Sequence, residues 1–252
     1  MVVNHLPPSN TRPRGGQSYG FVQYYVPSCA QRCINLELES AMKEVGNTTD
    51  GRKHCWLCES RLTHLNRELE LPSIETVLFR TEFWSCIVDV APICVGHLLI
   101  VPRRHIDDYS QLNSMELQDL QECYERISSF AQNGFEYIFF EHCDGTAGKR
   151  NCVDHTHVHC LPVSRHLAES GIAACATRAA EQVTRQDESY LILRLRNDEH
   201  IFFGKEVAEQ ARSQIEFLVA GETAPWRRRL AEDFDLVEER IRETLKVARS
   251  RG

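Results

Sequence analysis

From residue 74 onward, apolar positions come in short blocks cut by polar or turn-forming residues. Residues 74–80, 83–89 and 96–102 are three such blocks, each too short for a helix and rich in Val, Ile and Phe, so they predict consecutive strands. The spacing then changes. Leu117, Leu120, Tyr124, Ile127 and Phe130 recur at helical intervals, predicting a helix over 114–132 with Ser114 as N-cap and Asn133-Gly134 as its stop. Residues 135–141 form a fourth apolar block, a glycine loop follows, and 155–162 alternate as a fifth strand. A helix is expected within 165–184, a hairpin from 190–196 and 201–204, and two closing helices over 205–219 and 226–248. In the last of these, Leu230, Phe234, Val237, Ile241 and Leu245 fall on one side.

Upstream the pattern is weaker. Residues 1–20 hold three Pro and three Gly and read as an arm without a core of its own; 20–26 suggest a strand, 29–45 a poorly periodic helix, and 46–51 a linker. The expected architecture is α+β: a mostly antiparallel sheet of about five strands with flanking helices. It divides into an N-terminal extension (1–50), a central domain (51–165) and a helical and hairpin extension packed on it (166–252).

Composition narrows the function. The 252 residues are 42% hydrophobic and 26% charged, the range of globular proteins. No apolar run approaches the roughly 20 residues of a membrane span, and the first residues lack the apolar core of an export signal. With 29 basic and 36 acidic residues the net charge is −7, which argues against tracking a nucleic-acid backbone. The 11 cysteines cannot all be paired, and together with the missing export signal they point to a reducing, cytoplasmic setting.

The most informative feature is His155-Thr156-His157-Val158-His159. On a strand, alternate residues share a face, so three imidazoles would form a row with Cα atoms ~6.6 Å apart. A metal tract or a His-rich surface strand is one reading; the other is a neutral imidazole acting as nucleophile beside two helpers. Cys55-Trp56-Leu57-Cys58 has the spacing of a zinc knuckle and equally of a redox pair, and His54 and His64 are local competitors for any metal. The loop 144–152 (DGTAGKRNC) would bring backbone N–H groups to phosphate, but Arg150 directly after Lys149 rules out a P-loop. Lys149 and Arg150 either bind phosphate or are simply solvated. Asp89 ends a strand and serves either a turn or a ligand; Phe83, Ile87 and Val90 would wall a base or fill the core. Cys29 and Cys33 share a helix face and read as structural, and His142 as an ordinary strand-end histidine.

Residues 155–161 fit the H-φ-H-φ-H-φ-φ signature, and with Gly96-His-Leu-Leu-Ile-Val-Pro-Arg-Arg-His105 inside residues 83–112 the chain resembles the histidine triad (HIT) superfamily from about 55 to 162. Trp226-Arg227 and the helix after them are similar to some bacterial members. The resemblance implies a HIT-like fold and a nucleotide or nucleotide-conjugate substrate. His157 would attack the α-phosphorus to give a covalent nucleotidyl-histidine, assisted by His159. Asn151 and Cys152 stand where relatives often have Gln and Ser or Thr, so the leaving-group contacts depart from the usual pattern. Asp89 would bind the ribose hydroxyls. By similarity to zinc-bearing members, including the galactose-1-phosphate uridylyltransferase branch, Cys55, Cys58, His105 and His155 would hold a structural Zn2+. A third histidine at 159 is similar to the hydrolase branch, where transferases and phosphorylases carry Gln. Hydrolysis is the first expectation, nucleotidyl transfer or phosphorolysis the second, and a non-catalytic zinc and nucleotide-binding module the third; relatives imply a homodimer joined through the sheets.

Overall fold

The computed structural model describes residues 55, 57–58, 62, 75–107, 109–143, 155–168, 190–195, 198–203, 213, 215–221, 228–229 and 232–251. The expected elements before residue 55, His64, the loop 144–152 and most of the helices expected over 165–184 and 205–219 lie outside that set; of the last, 215–220 are helical.

Among the described residues, seven strands form one sheet: β1 (Val77–Arg80), β2 (Trp84–Val88), β3 (Leu98–Pro102), β4 (Phe135–Cys143), β5 (Val158–Ser164), β6 (Tyr190–Leu195) and β7 (Asp198–Phe203). Their order is β1-β2-β3-β5-β4-β6-β7, and every pairing is antiparallel. The α+β architecture thus stands, with two strands beyond the expected five: the β6–β7 hairpin of the C-terminal extension continues the sheet. β6 pairs with β4 from Ile138–Leu195 to Cys143–Tyr190, so β4 has a neighbour on both sides.

Strand parity sorts the core. Tyr137, Phe139, Val158 and Cys160 belong to one buried cluster, whereas Ile138, Phe140, Leu161 and Val163 belong to another, as the period of two requires. The first cluster is covered by α1 (Ser114–Ser128) through Leu120, Cys123, Tyr124 and Ile127, and by α2 (Phe234–Arg249) through Val237, Ile241, Leu245 and Ala248. The second takes Ala168, Leu191, Leu193 and Ile215. His157 and His159 share parity with Leu161 and Val163 and so project to the second face.

Several boundaries differ from expectation by a few residues, and α2 begins at Phe234, eight residues after the expected start at 226; two of the differences have a side-chain cause. Asn113, not Ser114, caps α1: its side chain accepts from Met115 N and Glu116 N, while Glu116 reaches back to Asn113 N at 2.9 Å, a closed capping box. A Ser at 114 cannot compete once Glu116 stands three residues after Asn113. The fifth strand starts at Val158 instead of 155. His155 is drawn out of the ladder by its side-chain partners, described next.

Candidate functional site

Two groups of polar side chains meet where β5 begins. In the first, Cys55, Cys58, His105 and His155 bring one donor atom each within 4.8 Å of one another. Cys55 Sγ lies 3.2 Å from His155 Nδ1, and Cys58 Sγ lies 3.4 Å from His105 Nδ1 and 3.8 Å from His155 Nδ1. His155 Nε2 donates to the Pro102 carbonyl at 3.0 Å, which fixes the tautomer and leaves Nδ1 as a lone pair aimed at the thiols. That is the outer-shell hydrogen bond that orients a ligating imidazole. Burial pushes the Cys55 thiol up to about 12, helped by the charge of Cys58. Burial, with His105 second, pushes His155 down to about 3. Two sulfurs and two imidazole nitrogens are the donor set of a closed tetrahedral zinc site. A bound Zn2+ would supply the positive charge that thiolates require there. Of the competing ligands, His54 and His64 lie outside the described residues.

The second group is histidine-rich. His157 Nδ1 donates to the His155 carbonyl at 2.7 Å, so its Nε2 is left with the lone pair. The His157 and His159 rings are 4.8 Å apart at 67°, and Phe140 stacks on His159 at 4.7 Å. His159 is fully buried; His157, at 9% exposed, is the most accessible of the three. His142 also lies on this face, its ring parallel to His159 at 6.0 Å.

Sequence reading overlooked His97, although it sits in the Gly-His stretch that carried the family resemblance. Backbone Ile93 N donates to His97 Nδ1 at 3.1 Å, so His97 holds its proton on Nε2. That N–H faces His159 Nδ1 at 3.1 Å, with Asp89 Oδ2 at 3.5 Å. The relay leaves His159 protonated on Nε2, the nitrogen turned away from His97. Asp89, 3% exposed, accepts from Ala91 N at 2.7 Å and keeps its other oxygen 3.8 Å from His159 Nδ1. These three side chains also bring donor atoms within 4.8 Å of one another. With His97 Nδ1 already accepting a backbone N–H, they form a hydrogen-bonded relay and not a cation cage.

Ile87 is fully buried in the core, and Phe83 and Val90 are half-buried against it. Lys149, Arg150, Asn151 and Cys152 lie outside the described residues. Turn 89–97 therefore brings Asp89 and His97 to His159, while β5 and the residues before it carry His155 to the cysteines and His157 beside His159.

Residues 70–166 match the HIT domain family, and this part of the chain is a HIT domain. Among curated proteins the chain is similar to bis(5'-adenosyl)-triphosphatase of Dictyostelium discoideum, 34% identical over 89 residues, which is 34% of this chain and 58% of that one. The chain thus spans little more than half the length of that relative. Solved structures it is similar to include a histidine triad nucleotide-binding protein from Candida albicans (22% identity, 38% of this chain and 72% of that one, TM-score 0.30). Another is a Zn-bound histidine triad family protein from Mycobacterium smegmatis (18% identity, 60% and 90%, TM-score 0.29).

Proposed function

We propose that this protein is a nucleotide hydrolase that cleaves a phosphoanhydride or phosphoramidate at the α-phosphate through His157. The observation that carries the reading is the 2.7 Å bond from His157 Nδ1 to the His155 carbonyl inside a HIT domain. With that proton committed to the backbone, the Nε2 lone pair is available to phosphorus. In the first step Nε2 forms the P–N bond as the bond to the leaving oxygen or nitrogen breaks, and the leaving group departs with the electron pair. A leaving nitrogen takes up a proton from solvent as it departs. In the second, water attacks phosphorus, the P–N bond breaks with its pair returning to Nε2, and the water's proton is released to solvent. His159 Nε2–H would donate to a non-bridging oxygen, where charge grows. Asp89 would accept from the ribose hydroxyls, and the half-buried Phe83 and Val90 would border the base; Ile87, fully buried behind them, fills the core and does not wall the base as expected. Lys149, Arg150, Asn151 and Cys152 would contact the phosphates from the glycine loop.

Cys55, Cys58, His105 and His155 would hold a structural Zn2+, which ties the segment before the sheet to the entry of β5. Cys86, Cys94, Cys123 and Cys160 are free thiols, and a cytoplasmic setting belongs to the same reading. No helix among the described residues is long and apolar enough to cross a membrane. A homodimer joined through the sheets belongs to the same reading. Since both edges of β4 are occupied, the joining strand would be β1 or β7, and sedimentation velocity checks the stoichiometry.

The test is incubation with labelled bis(5'-adenosyl) triphosphate, the substrate named for the Dictyostelium relative, and with adenosine phosphoramidate. Turnover, with an acid-labile nucleotide on the protein that His157→Ala abolishes, is the expected result. Transfer of the nucleotide to added phosphate would instead favour the phosphorylase alternative. Binding without turnover across both substrates would leave a zinc and nucleotide-binding module.

A further inference from the structure

The turn between β2 and β3 carries Asp89 at one end and His97 at the other. Its internal hydrogen bonds are Ala91 N to Asp89 Oδ1, Asp89 N to the His97 carbonyl at 3.2 Å, His97 N to the Cys94 carbonyl at 3.2 Å, and Ile93 N to His97 Nδ1. Three further groups of this turn find their partners about 140 residues away, in the C-terminal segment. Arg229 Nη1 donates to the Ala91 carbonyl at 3.3 Å, and Arg240 Nη1 to the Pro92 carbonyl at 3.0 Å. Gly96 N donates to Thr244 Oγ1 at 2.8 Å, and that hydroxyl donates onward to the Arg240 carbonyl at 2.7 Å. Arg229 is itself buried and paired with the buried Glu216. Thr244 is 2% exposed. A buried hydroxyl that both accepts from Gly96 and donates to its own helix leaves the turn little freedom of height above the sheet.

We propose that Arg240 and Thr244 of α2, with Arg229 before it, are positioning residues that set the Asp89–His97 turn in the geometry the nucleotide site uses. The assignment of that turn to a nucleotide rests on the function proposed above; the clamp itself rests on the hydrogen bonds. Arg240 holds the turn at Pro92, one residue before the N–H that fixes the His97 tautomer. Thr244 holds it at Gly96, one residue before His97 itself. Losing either anchor lets Ile93 N drift from His97 Nδ1, and the imidazole then samples both tautomers. His159 loses its defined donor in turn. The C-terminal helix is in this sense part of the site without touching it.

The experiment uses the full zinc-loaded chain with 15N-labelled histidine, read by long-range 1H–15N spectra of the imidazoles without nucleotide, followed by AMP titration. Wild type is expected to show His97 unprotonated at Nδ1 and protonated at Nε2. Arg240→Met keeps the apolar stem and removes the donor; Thr244→Val keeps the shape and removes the hydroxyl. Both should give mixed or exchanging His97 signals and weaken AMP by about tenfold. Thr244→Ser should restore both, and Arg242→Ala, which breaks only an exposed pair with Glu238 on the same helix, should change neither. His97 signals superposable on wild type in Arg240→Met would overturn the proposal, whether or not Thr244→Val folds. So would unchanged AMP affinity in variants whose His97 signals have moved. If wild type fails to bind AMP, the functional reading fails, and the His97 spectra still decide the clamp.

Discussion

His155 and His157 are joined through a single backbone group: the carbonyl of the first accepts the Nδ1 proton of the second at 2.7 Å. The residue whose side chain faces the cysteine pair therefore orients, through its main chain, the imidazole beside it. Anything that displaces His155 displaces the acceptor of His157.

Replacing His157 removes the nucleophile; its ring is 9% exposed, the least buried of the three histidines. His157→Ala should lose at least about 10³-fold in turnover with the fold retained. Rapid quench for bound nucleotide and circular dichroism on the same sample check both halves.

Elemental analysis of the purified protein should find close to one zinc per chain. Cys58→Ser, which removes a sulfur 3.4 Å from His105 Nδ1, should lower zinc content and stability together. A loss of about 3 kcal/mol corresponds to roughly 10 °C in melting temperature for a chain of this size. Zinc-free protein that melts like the untreated sample would contradict the four-ligand assignment.

Glu116 caps α1 and receives the Arg104 guanidinium at 2.5 and 2.9 Å, and that hydrogen bond holds its carboxyl below the usual value near 4.5. A depressed folded-state value stabilises the protein above the unfolded-state value, and the contribution disappears as pH falls through the folded one. Because Arg104 is about half exposed, solvent screens the pair to about 1 kcal/mol or less. Urea denaturation should show Arg104→Ala less stable than wild type at pH 7, with the gap closing toward pH 3. A gap independent of pH would refute the ion-pair origin.

Gly96 adopts φ +91°, and a Cβ there would meet Pro162 Cγ at 2.8 Å. Gly96→Ala combines a backbone penalty with a clash against β5, so it should cost about 2–3 kcal/mol. Thermal denaturation measures the loss, and AMP affinity should fall with it, because Gly96 directly precedes His97.

Much of the site was legible in one dimension because it is local. Alternation around 155–162 predicted a row of three imidazoles; His157 and His159 do lie side by side, 4.8 Å apart, but the strand begins only at Val158 and His155 turns to the cysteines instead. The short apolar blocks at 74–80, 83–89 and 96–102 became β1, β2 and β3 to within a few residues. The misjudged cap at Ser114 reflects a rule applied one position late: Asn113 and Glu116 form the box together, and the pair is the signal, not the hydroxyl nearest the apolar run.

What the residue order settles, then, is chemistry with short reach: which strands exist, which way their side chains alternate, and that cysteine and histidine stand at ligand spacing. Long-range proximity is a matter of folding. Cys55 meets His155 across 100 residues, Gly96 meets Thr244 across 148, and the β6–β7 hairpin joins the sheet beside β4. No periodicity encodes such meetings, because they depend on which apolar faces can be buried together once the strands have formed. His97 belongs to this second kind. Its role became readable only when the turn brought it within 3.1 Å of His159, where burial makes the position of one proton matter.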